Sequence, residues 1–75
     1  ALGSRPEAVR VLERALKADA SDPAPHRLLC AVEYRIGRLP RALHHCKMWK
    51  AKERNPAQRE RAATRVRRLE QELGP

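Results

Sequence analysis

Seventy-five residues make one domain at most, near the lower size at which a single apolar core offsets chain entropy. Seventeen basic residues against nine acidic ones give a formal net charge of +8, which suits polyanions or acidic peptides as partners, although a solvated basic surface accounts for it equally well. The longest apolar run, LLCAV at 28–32, is far too short to span a bilayer and nothing resembles a signal peptide, so a soluble protein without membrane insertion is expected.

Taken along the chain, the apolar residues recur in steps of three and four, and punctuation residues mark the ends. A first helix is predicted over 6–18, with Ala8, Val9, Leu12, Ala15 and Leu16 on its stripe and Pro6 in a first turn that tolerates it. A second, over 24–36, follows a capping residue in SDP at 21–23, carries Leu28, Leu29, Val32 and Ile36, and stops at Gly37. The third, over 40–54, opens at Pro40 and aligns Leu39, Ala42, Leu43, Cys46 and Trp49. The fourth, over 57–73, follows Pro56, aligns Ala62, Ala63, Val66, Leu69 and Leu73, and ends at Gly74-Pro75. Sustained alternation is absent, so the fold class is all-α. The only cysteines, Cys30 and Cys46, are too few for the framework of a small secreted scaffold and fit no CxxC pattern. They read as buried thiols, which implies a reducing, cytoplasmic setting.

Sliding the chain against itself by thirty-four residues pairs Leu2 with Ile36, Gly3 with Gly37, Pro6 with Pro40, Ala8 with Ala42, Val9 with Leu43 and Leu12 with Cys46. The same shift carries Arg27 onto Arg61, Leu29 onto Ala63 and Val32 onto Val66. Such a period marks helical hairpins that bury their apolar faces on their neighbours. Together with the apolar-Gly pair closing a first helix, the alanine of a second, and ALKADASDP at 15–23, the pattern resembles the tetratricopeptide repeat (TPR) family. That resemblance implies antiparallel hairpins stacked as a short right-handed solenoid of about four helices. Residues 2–20 would be the second half of one repeat, 23–54 a full repeat, and 57–73 a capping helix, because Glu70 and Gln71 stand where Ile36 and Gly37 made the earlier turn. The departures are His26 in place of a large aromatic, Cys30 for a small residue, and Trp49 where alanine is usual. The chain opens on Ala1 rather than methionine, so a fragment of a longer protein is expected.

His44, His45 and Cys46 suggest zinc, yet adjacent helical residues point about 100° apart and do not converge on one ion. No nucleophile, acid/base pair or cofactor loop can be assembled, so no catalytic, cofactor or metal residues are expected. Trp49 reads as core, facing Ala62 and Ala63. By the TPR resemblance the first helix of each hairpin lines a concave groove, where Arg27, Ala31, Tyr34 and Arg35 would project. The period then predicts Arg61, Arg65 and Arg68 beside them. Arginine favours bidentate carboxylate contact, so Arg27, Tyr34, Arg35, Arg61, Arg65 and Arg68 are the expected partner-binding residues for an acidic peptide or protein segment. Pairing of Arg68 with Glu72 at i, i+4 would neutralise part of the cluster. The carboxylate clamp of some TPR domains is rejected, since Asn55 is the only asparagine and Ala31 holds a groove site. Arg41, Lys47, Lys50, Lys52 and Arg54 fall on the third helix, but without aromatic residues between them nucleic acid is the weaker reading. A structural, self-associating segment is the other alternative, with helix 6–18 leaving Val9, Leu12 or Leu16 uncovered for a second copy.

Overall fold

The computed structural model describes residues 4–74 and contains four helices: α1 (Ser4–Ala18), α2 (Pro23–Ile36), α3 (Leu39–Lys52) and α4 (Pro56–Leu73). No strand occurs among the described residues. Leu2, Gly3 and Pro75, which carry the first repeat of the apolar-Gly pair and the final stop, lie outside them.

The helix ends follow from the residues placed there. Asp22 caps α2 by accepting from Ala24 N–H at 3.0 Å, with Pro23 next in a first turn where its missing donor costs nothing. Asn55 does the same for α4, accepting from Ala57 at 2.9 Å and Gln58 at 3.2 Å. At the other end of α2, Gly37 takes φ 92°, and the N–H groups of Gly37 and Arg38 return to the Glu33 carbonyl at 3.1 and 2.9 Å. That left-handed turn is why glycine stands there. α3 ends two residues earlier than predicted, because Glu53 leaves the helix in an extended conformation.

Consecutive helices pack on one another, α1 on α2, α2 on α3 and α3 on α4, and the thinnest Cα dimension is 18 Å, about two helical layers. The main core joins Cys30, Ala42, Cys46, Trp49, Ala62, Val66 and Leu69, with Tyr34, Leu39 and Leu43 packed around it. Trp49 is buried against a fully buried Ala62, the large-against-small match expected of these two positions. No helix among the described residues is long and apolar enough to cross a membrane.

Several expectations are corrected. Cys30 and Cys46 are not thiols: they form a disulfide between α2 and α3 across a Cα separation of 5.0 Å, within the range such bridges need. The basis for a reducing compartment therefore falls away. Val9 is closed off at 4% exposure, while Leu12 and Leu16 are half-buried, and the large apolar residue exposed on α1 among the described side chains is Val11. Leu28 and Leu73, assigned to buried stripes, are exposed instead. Leu28 points about 100° around α2 from fully buried Leu29, and Leu73 is the last residue of α4.

Candidate functional site

Residues from three helices line an open cleft of about 410 Å³. α2 supplies Arg27, α3 supplies Trp49, and α4 supplies Gln58, Glu60, Arg61, Thr64, Arg65 and Arg68. The spacing on α4 explains the convergence: Arg61, Thr64, Arg65 and Arg68 follow steps of three and four and share one face. Four of the six expected binding residues thus line one cavity. Tyr34 adjoins it without lining it, with the Arg65 guanidinium carbon 5.8 Å from its ring centre, within reach of a cation–π contact. Arg35 is exposed on α2 and does not reach the cavity.

The cavity's wall is tied down by polar contacts. Trp49 Nε1–H donates to Glu53 Oε1 at 3.0 Å, and Glu53 Oε2 accepts from Asn55 N–H at 3.3 Å. Donation from Trp49, helped by the backbone N–H groups and the charge of Arg27, holds the Glu53 carboxyl below its ordinary range. Tyr34 Oη–H donates to Glu72 Oε1 at 2.8 Å and so joins the ends of α2 and α4. That bond holds the phenol proton and pushes its pKa up. The alternative in which Arg68 pairs with Glu72 within α4 is not what the structure shows: the two form no ion pair. Among the described residues the ion pairs are Arg38 with Glu33 at 4.0 Å, Lys47 with Glu70 at 3.9 Å and Arg67 with Glu60 at 3.8 Å. Glu60, which lines the same cleft, pairs with Arg67, and Arg67 also donates to Thr64. The four cleft arginines form no ion pair of their own among the described residues.

Trp49, whose position favours core packing over a binding anchor, takes part in both, belonging to the core and lining the cleft. Its position at the end of the α3 stripe, next to the α4 arginines one period after Arg27, was the available signal. The histidines also divide. His44 is exposed, whereas His45 is half-buried and its Nδ1 lies 3.1 Å from Nδ1 of buried His26 across the α2–α3 interface. One of those nitrogens must donate and the other accept, so both rings cannot be protonated and keep that bond. Burial, with the nearby charges of His26, His44 and Arg41, pushes His45 down to about 4, and burial likewise lowers His26.

No protein-family model, curated protein or solved structure matches this chain.

Proposed function

We propose that the chain is a noncatalytic interaction module, a short TPR-like solenoid, whose arginine-lined cavity receives an acidic peptide or protein segment. One observation carries the reading: Arg27, Arg61, Arg65 and Arg68 converge on one concavity, and none of them is within ion-pairing distance of a carboxylate among the described residues. Four neighbouring guanidinium groups repel one another when the site is empty, and a ligand carboxylate relieves that repulsion through planar, bidentate contacts. Trp49 supplies an apolar wall for the ligand's backbone or side-chain stem. The helical repeat at thirty-four residues and the consecutive packing of the helices support the TPR-like arrangement. The cytoplasmic setting is not carried into this proposal, because the free thiols that suggested it are cross-linked.

The deciding measurement is the affinity of a fluorescent acidic peptide for the protein at fixed salt. Replacing Arg61 and Arg65 together by Gln should weaken binding at least tenfold, the loss of one to two charge-assisted contacts. Replacing Lys50 and Lys52 on α3 should leave it unchanged. Equal losses from the two double variants would mean attraction to net charge, and the same experiment with a DNA or RNA oligonucleotide tests the nucleic-acid reading through its salt slope. The self-associating reading is tested by light scattering over a concentration series, with exposed Val11 replaced by Ser as the control.

A further inference from the structure

α4 carries three acidic residues, Glu60, Glu70 and Glu72, on the same helix as Arg61, Arg65 and Arg68 of the cleft. Each is engaged elsewhere. Glu60 pairs with Arg67 at 3.8 Å and Glu70 with Lys47 of α3 at 3.9 Å, while Glu72 Oε1 accepts from the Tyr34 hydroxyl of α2 at 2.8 Å. The first two carboxylates meet cations. The third meets a neutral donor, which holds it in place without cancelling its charge.

That difference matters at Glu72. It lies in the last turn of α4, where unpaired carbonyls disfavour a carboxylate and make a donor necessary. Arg68 stands one turn back, at the i, i+4 spacing that brings two side chains together on a helix surface. Yet Arg68 and Glu72 form no ion pair. The charges of Arg68 and Arg65 both act on the Tyr34 phenol, the group to which Glu72 is bonded. The ring of Tyr34 engages the cleft as well, with the Arg65 guanidinium carbon 5.8 Å from its centre. One residue of α2 thus meets a cleft arginine and also the carboxylate best placed to occupy the next one.

We infer that Tyr34 is a positioning residue of the arginine cleft, its hydroxyl holding Glu72 off Arg68 so that this guanidinium stays open to a ligand. The inference rests on the reading of the cleft as a site for an acidic segment. Tyr34 acts through Glu72 rather than on the ligand. Freed from the hydroxyl, Glu72 pairs with Arg68 and competes with the ligand's carboxylate as an internal one. The cleft then loses one of its four cations without any arginine being changed. The Tyr34–Glu72 bond is exposed, so its removal leaves the core intact.

The test is the affinity of labelled hexaglutamate for the whole chain at low ionic strength, where an exposed ion pair is screened least. Tyr34→Phe, which keeps the ring and removes the hydroxyl, should weaken binding about twofold, the size of one i, i+4 ion pair. The same change should have no effect in a Glu72→Gln background, which has no competing carboxylate, or in an Arg68→Gln background, which has no cation to lose. A merely structural bond would weaken binding equally in all three, so the two double-variant cycles separate positioning from folding. A second readout needs no ligand: the Arg68 Nε–H resonance should move in Tyr34→Phe and return when Glu72→Gln is added. Wild-type affinity in Tyr34→Phe, an equal loss in every background, or an unmoved Arg68 resonance would overturn the inference and leave the acidic-ligand reading in place. Absence of hexaglutamate binding by the wild type would overturn that reading and this inference with it.

Discussion

Arg27, Arg61, Arg65 and Arg68 gather around one cleft at the surface, whereas Glu33 is buried inside the fold. Water solvates the first set, so those arginines neither cost nor contribute much to folding, and they are free to serve a partner. The second is desolvated, with Oε2 unpartnered and only Arg38 at 4.0 Å from Oε1, so it opposes folding where the arginines do not. The α2–α3–α4 core and the bridge between Cys30 and Cys46 lie beside it. The contrast can be broken at either end.

The largest effect is expected at the structure shared by core and cavity. Trp49→Ala removes a buried aromatic from between α3 and α4, which should cost about 3–5 kcal/mol and unfold much of a domain this small. Chemical denaturation followed by circular dichroism measures it, and the wild-type tryptophan should emit as a buried indole. Next comes the bridge. Opening a cross-link between residues 16 apart should cost about 3 kcal/mol, read as a lower midpoint in reducing agent or in the double Cys→Ser variant. Free-thiol titration of the native protein should detect no reactive sulfhydryl.

Glu33→Met goes the other way: an apolar side chain of similar volume in place of the unsatisfied carboxyl should raise stability by about 1–2 kcal/mol. A fall in the denaturation midpoint would show that the carboxyl is satisfied in solution. The histidine pair gives a pH signature between these extremes. Unfolded His45 takes its proton near 6.5 and the folded ring only at about 4, so the unfolded chain binds more protons in that interval. Stability is therefore full above pH 6.5 and is lost as the pH falls toward 4, and His45→Gln should flatten the melting temperature over that window. Smallest of all, Arg61→Gln with Arg65→Gln should change stability by less than about 0.5 kcal/mol, despite its effect on an acidic ligand.

Much of the architecture could be read from residue order, because helix signals are local. Asp22, Gly37 and Asn55 act on atoms two to four residues away; the cap within SDP and the stop at Gly37 stand where the sequence predicts them, while the Asn55 cap appears only in the structure. The convergence of Arg61, Arg65 and Arg68 was likewise legible, since helical spacing alone puts them on one face, and the thirty-four-residue shift brought Arg27 to them. Arg35 was misplaced for the opposite reason. It neighbours Tyr34 in the chain, but adjacent helical residues point in different directions, and only Tyr34 meets α4.

Local order determined four helices, the cap in SDP and the stop at Gly37, the Trp49–Ala62 match and the basic stripe of α4, since each depends on turns of one helix or on a repeat that copies itself along the chain. The Cys30–Cys46 bridge, the His26–His45 contact, the closure of Val9 and the burial of Glu33 were decided only when helices were set side by side. Their physical origin is the rotation of each helix about its axis. A difference of a few tens of degrees turns a cysteine toward another cysteine, or a glutamate inward, and it leaves no mark on the spacing of apolar residues that specified the helices.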